Sequence, residues 1–441
     1  MPTVTTKDGT HLVRAIGRWS LVALMVNLII GSGIFGLPSI ISRLVGAASV
    51  WAYVFAAIAT AIVMACFAEV SSRFTASGGI YLYTRTAFGP VTGIVMAWFG
   101  FLVRLTAAAS NANLFVIYLA EFWTGGKEPL PRFLILTALI GLLTVVNYCG
   151  VHRGVRLSNL FTIAKLAPLA VFIAAGLFYI LARHQPVAAA APAGPSGPWL
   201  QAVLLLLFAF GGFEAALMPG GETKDPRRDA PFALFTALAT VTVMYVLIQI
   251  IVASILPDSA HTDRPLAAAS HFFLGERGAA LITLTILLSV YGSLSANILA
   301  VPRLLFAMAE RGDFPSLLGR VHSRFQTPHV AICTFAILLW LFSLRGSFEW
   351  NLTLSAVARL VYYGSVCVAL PVLRRKGPPA QFQLPLGNLI AVLGVGLSLI
   401  LVTRVNRSGS IAIFVVTGLA LLNGWWARRG GTARKENVVG G

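Results

Sequence analysis

Apolar runs of about 20 residues recur along this 441-residue chain, and they decide what it can become. At about 1.5 Å per residue, a helix of that length crosses the hydrocarbon core of a bilayer. Twelve segments are read, at about 20–42, 47–70, 91–121, 132–150, 158–182, 199–220, 231–256, 278–300, 329–344, 351–372, 386–403 and 409–427. Only 11% of residues are charged, against about 25% in soluble proteins. In lipid a backbone must satisfy its own hydrogen bonds, so the expected fold class is all-α: a polytopic membrane protein with about 12 transmembrane helices. Residues 1–441 are expected to form one transmembrane domain, because no stretch between the runs is large enough to hold a soluble active site.

The 33 basic residues outnumber the 15 acidic ones, for a net charge of +18. In a soluble chain this would point to nucleic acid; here the positive-inside rule accounts for it, and no nucleic-acid partner is expected. With the N-terminus placed inside, 21 basic residues fall on the inner side and 8 on the outer, while Arg43, Arg104, Lys165 and Arg359 lie within apolar runs. The expectation is a multi-pass protein of the plasma (inner) membrane with both termini cytoplasmic.

The four cysteines lie in apolar segments without metal or disulfide spacing, and no HExxH, P-loop or nucleotide fingerprint is present. No cofactor, metal or enzymatic activity is expected. The seven histidines read as loop or helix-end residues, which argues against a histidine proton relay. A Pro/Ala/Gly-rich connector, QPVAAAAPAGPSGP at 185–198, separates the first five spans from the rest. The tail GGTARKENVVGG is expected to lack structure.

Two runs carry interruptions where a helix can least afford them. The first, NLIIGSGIFGLP at 27–38, has Gly31, Ser32 and Gly33 near mid-membrane. The sixth, LFAFGGFEAALMPGGE at 207–222, has Gly211 and Gly212, then Glu214, then Pro219-Gly220-Gly221. Each glycine costs a helix interior about 1 kcal/mol. Glycines can simply let helices approach closely. Paired breaks at corresponding positions of two five-helix halves point instead to a transporter site. An unwound helix offers N–H groups to an anion and carbonyls to a cation. The amides at Ser32 and Gly33 are candidates for a carboxylate, and the carbonyls near Ile29, Phe208 and Ala209 for an ammonium. A ligand bearing both on one carbon is an α-amino acid.

Together with EVSSRFTASGGIYLYTRTAFGP at 69–90, FAFGGFEAALMPGGETKDPRRDAPFAL at 208–234 and ANILAVPRLLFAMAERGDFP at 296–315, the first break makes nearly the whole chain resemble an amino acid permease of the amino acid–polyamine–organocation superfamily. The resemblance implies a five-plus-five inverted repeat (20–182 and 199–372) with broken helices 1 and 6, two further helices (386–427), and alternating access. It implies that Ser32 and Gly33 supply carboxylate-binding amides, that Phe208 covers the substrate, that Gly211 lines the side-chain pocket, and that Asn297 lies near the substrate. It also implies that Lys165 takes the place of a sodium ion in sodium-coupled relatives, where it either carries coupling protons or acts as a structural cation. Glu214 is read as either a proton site or a cap of the broken sixth helix.

Arg104 and Arg359 are read as partners of acids or carbonyls within the bundle; the sharper alternative has Arg104 sensing an acidic substrate. Glu69 and Arg73 are read as an interfacial pair. The resulting expectation is secondary transport of amino acids, leaning to neutral substrates, by proton symport or exchange, with protons as the candidate coupling ion. Amine or polyamine carriage, and more remotely an ion channel, are the alternatives. Oligomeric state, the amino acid itself and the direction of transport are not legible.

Overall fold

The computed structural model describes residues 16–75, 78–149, 154–184, 198–218, 223–256, 258–310, 312–377 and 379–439. Among these the chain is helical, and no strand forms beyond an isolated bridge between Ile16 and Thr223. Among the described residues nine helical stretches are long and apolar enough to cross a membrane, and three shorter apolar helices, Arg18–Ile29, His329–Arg345 and Gly387–Val402, accompany them. This is a multi-pass membrane protein.

The first apolar run is two helices, α1 (Arg18–Ile29) and α2 (Gly33–Val45), and the second is α3 (Ser49–Ser71). An amphipathic helix α4 (Gly79–Phe88) leads into α5 (Pro90–Leu119), then α6 (Pro129–Tyr148) and α7 (Gly154–Ala182). The sixth run is also two helices, α8 (Trp199–Ala209) and the short α9 (Phe213–Ala216), followed by α10 (Pro226–Ile255). Then come α11 (Pro265–Glu310), α12 (His329–Arg345), α13 (Phe348–Lys376), α14 (Gly387–Val402) and α15 (Arg407–Val439). Both α5 and α10 begin with proline at the first turn, where a missing N–H costs nothing.

α13 packs along α5 and α10 along α3, and α3, α10 and α13 pack against the broken pairs. Large apolar side chains on the outer helices, such as Phe178, Leu181 and Phe414, face outward. That is inverted relative to a soluble protein and fits a lipid surround.

Three readings change. The eighth run is longer than 278–300: α11 reaches Glu310 through Pro302, and a separate helical piece precedes a break at Gly275, where φ is 64°. Neighbouring helices can stabilise a proline such as Pro302 inside a membrane helix. His271 lies in that preceding piece rather than in a loop, and its Nε2 meets Glu121 at 3.1 Å. The tail also joins a helix, since α15 runs to Val439; extending an existing helix is far easier than nucleating one. The connector at 185–197 and Pro219–Glu222 lie outside the described residues.

The Glu69–Arg73 pair is part of a larger buried knot. Glu69 is fully buried and accepts from Arg73 at 2.8 Å, from Arg374 Nε and Nη2 at 2.8 and 2.6 Å, and from the Leu384 amide at 3.0 Å. Arg73 also donates to the Leu373 carbonyl at 3.1 Å. The carboxylate therefore ties α3 to the end of α13 and to the segment before α14. Removing one member of a buried, bonded set strands the others, at a cost of about 3–5 kcal/mol. Glu69→Gln is expected to destabilise the purified protein by that order, read as a lower melting temperature in detergent.

Candidate functional site

The two helix breaks lie against one another. α1 ends at Ile29, and Ile30, Gly31 and Ser32 are non-helical before α2 starts at Gly33. α8 ends at Ala209, and the chain turns through Phe210, Gly211 and Gly212 before α9. A Cβ on Gly33 would sit 2.7 Å from Ala209 Cα and 2.9 Å from its Cβ. A Cβ on Gly212 would collide with the Leu28 carbonyl, and Gly212 also holds φ at +115°. Each break thus presents a glycine to the helix end that the other break leaves behind. A side chain at either position would force the two backbones apart.

The polar groups released by the breaks divide into engaged and free. The amides of Ser32, Gly33 and Ile34 donate to no backbone acceptor among the described residues, while the Ser32 carbonyl accepts from Phe35 and Gly36. Ser32 Oγ is buried without a hydrogen-bond partner. On the carbonyl side, the hydroxyl of Tyr245 on α10 lies 3.2 Å from the Ile29 oxygen and 3.1 Å from the Ala209 oxygen. One hydroxyl has one proton, so these two helix ends share a single donor. Tyr245 is fixed there by ring contacts with Tyr53 and Phe210.

Lys165, buried on α7, donates to the carbonyls of Asn27, at 3.0 Å, and Ile30. It therefore caps the end of α1 across the bundle. An ammonium carries three protons, and two of them are placed here.

The second break is organised around charge. Glu214 Oε2 accepts from the Gly212 amide at 2.8 Å and from the Tyr363 hydroxyl at 2.8 Å. Phe67, Phe213 and Tyr363 form an aromatic cluster that holds that hydroxyl in place. Arg359 on α13 donates to the Phe208 carbonyl at 2.9 Å, and its guanidinium lies over the Phe208 ring. The same guanidinium fills the space that a side chain on Gly211 would need. Arg104 on α5 and Arg359 each stand 3.8 Å from Glu214 Oε1.

Among the candidates named from sequence, Ile29, Gly33, Phe208, Ala209, Gly211, Glu214 and Lys165 all touch a break or its immediate partners, and Ser32 lies within the first. Asn297 does not join them by any hydrogen bond: it is half-buried on α11 and returns its amide to the Ser293 carbonyl of its own helix. Asn113 lies nearer the end of α5 and accepts from Arg132 at 2.8 Å. Tyr245 and Tyr363 were not foreseen. A tyrosine in an apolar run signals only that its hydroxyl must find a partner, not which one.

A profile of the amino acid permease family matches residues 16–427. A methylthioribose transporter of Bacillus subtilis (strain 168) is 25% identical, covering 88% of this chain and 87% of the relative. A serine/threonine exchanger from the same organism is 28% identical over 94% of this chain and 96% of its own length. A branched-chain amino acid permease, also of B. subtilis, is 28% identical over 91% and 90%. With a match that spans both breaks and every element around them, this chain belongs to the amino acid permease family of the amino acid–polyamine–organocation superfamily.

Proposed function

We propose that this permease carries amino acids across the plasma membrane by secondary active transport with alternating access, as a proton symporter or an exchanger. The observation that carries this reading is the pair of broken helices packed glycine to backbone, with free amides on one side and shared carbonyls on the other. The amides of Ser32, Gly33 and Ile34 suit the carboxylate of an α-amino acid, at the positive end of α2. The Ile29 and Ala209 carbonyls suit its ammonium, since each oxygen keeps a lone pair beside the Tyr245 hydroxyl.

The five-plus-five inverted repeat belongs to this proposal. The first and sixth apolar runs are both broken, and they are the opening members of the two halves. In this scheme both termini are cytoplasmic. The Arg18–Asp229 ion pair at 3.0 Å and the bond from the Lys224 amide to the Ile16 carbonyl then join α1 to the start of α10 on the cytoplasmic face. The Arg43–Glu349 pair at 2.9 Å joins α2 to α13 on the outer face. Both must part in turn for access to alternate.

In this reading Lys165 couples transport to protons. It holds the carbonyl end of α1, so loss of its proton would weaken its hold on the half-helix that borders the substrate. The relative named as an exchanger supports keeping exchange beside symport.

Purified protein in liposomes preloaded with mixed amino acids is expected to take up radiolabelled amino acid by counterflow. A folded protein that moves no amino acid, with preloading or with an inward proton gradient, would overturn the proposal. Lys165→Ala is expected to cut gradient-driven accumulation at least about tenfold, the effect of one lost charge-assisted bond of about 1.5–3 kcal/mol. Gly33→Val should stop counterflow. Its overpacking cost of about 1–3 kcal/mol would appear as a lower melting temperature rather than unfolding.

A further inference from the structure

Four acids are buried among the described residues: Glu69, Glu214, Asp229 and Asp313. Three are bonded closely to guanidinium groups. Arg374 and Arg73 approach Glu69 to 2.6 and 2.8 Å, Arg18 approaches Asp229 to 3.0 Å, and Arg85 approaches Asp313 to 3.0 Å. Glu214 is the exception. Two guanidinium groups face it, both at 3.8 Å, beyond hydrogen-bond reach.

The donors left over are specific. Arg359 is 3% exposed, yet its Nε has no hydrogen-bond partner. Arg104 Nη2 is buried without one, and Glu214 Oε1 has no donor. Two positive charges meet one negative charge, so the second break carries a surplus cation with unspent N–H groups. A buried guanidinium that is neither neutralised nor fully bonded is expensive unless an anion completes it. The surplus lies over Gly211, beside the break where the amino acid would bind.

We infer that the transported amino acid has an anionic side chain, whose carboxylate is received by Arg359 and Arg104. This rests on the amino acid transport reading above and narrows it to acidic substrates. The neutral-substrate expectation rested on a pocket wall without an acid to suit a basic side chain; at Gly211 the wall is the Arg359 guanidinium. A cationic side chain, or a polyamine, would meet like charge here.

A second feature agrees. A cavity of about 350 Å³ opens where α5 ends and α13 begins, lined in part by Lys127, Arg132, Arg345 and Ser347, with no acid on its wall and Phe348 beside α2. Lys127 is paired with Asp263 and Arg132 is bonded to Asn113, which leaves Arg345 beside the opening. In the proposed orientation this is the outer mouth. A basic mouth concentrates anions ahead of the site.

The test is counterflow by the full-length protein in liposomes preloaded with an equimolar mixture of glutamate, aspartate, serine, leucine and arginine. Each is supplied outside in radiolabelled form, and all are cross-competed. Glutamate or aspartate is expected to be taken up and to displace the others. Arg359→Gln should lower the ratio of acidic to neutral uptake by about 10- to 100-fold, the weight of a lost charge-assisted contact. The ratio is taken within each variant, so a smaller folded fraction cancels. Arg359→Lys keeps the charge and should retain part of the preference. Uptake of neutral or basic amino acids that glutamate and aspartate fail to inhibit would overturn the acidic assignment and leave amino acid transport standing. An unchanged ratio in Arg359→Gln would remove Arg359 from recognition. No movement of any amino acid by folded protein would overturn the transport reading itself.

Discussion

Two glycines set against two helix ends hold the rest of this architecture in register. Gly33 lets α2 reach the backbone of Ala209, and Gly212 lets the second break reach the Leu28 carbonyl. Because the contacts are reciprocal, neither break can close into a regular helix without displacing the other. The hydrogen bonds that each helix gives up therefore stay open together, at one place in the bundle. Three polar side chains nearby answer that constraint. Tyr245 divides its proton between the two carbonyl ends, Lys165 caps the end of α1, and Glu214 turns back onto the Gly212 amide.

The bundle was legible in the sequence because lipid leaves a chain few options. Runs of about 20 apolar residues must be helices, and each run read from the sequence overlaps helix in the structure. The breaks were legible for the complementary reason: glycine and serine in mid-run conflict with that rule, and both runs are broken at those positions. The limits of α11 were harder to read, since Pro302 and Gly275 look alike as stop signals. Only packing shows that the helix continues through one and breaks at the other.

The site was legible where chemistry follows the chain, and illegible where it crosses it. Ser32, Gly33, Gly211 and Glu214 announce themselves within two short motifs. Tyr245 and Arg359 reach the breaks from α10 and α13, and no spacing in the sequence tells which break a distant tyrosine or arginine will meet. Asn297, read from the resemblance as near the substrate, bonds the Ser293 carbonyl four residues back on its own helix.

The buried charges separate structure from recognition by distance alone. At Glu69 two arginines also face one carboxylate, so the stoichiometry matches that at Glu214. There the carboxylate receives both arginines and a backbone amide at 3.0 Å or less. At Glu214 the carboxylate is drawn instead to Gly212 and Tyr363, which leaves both guanidinium groups about 1 Å too far to bond it. Oε2 caps the break, while Oε1 faces both arginines at 3.8 Å without a donor. The arginine donors beside this break stay unspent. A chain that only needed to neutralise Glu214 could have done so with one arginine at bonding distance, as Arg18 does for Asp229. The second guanidinium, held off and buried beside the break, is what an anionic side chain would complete.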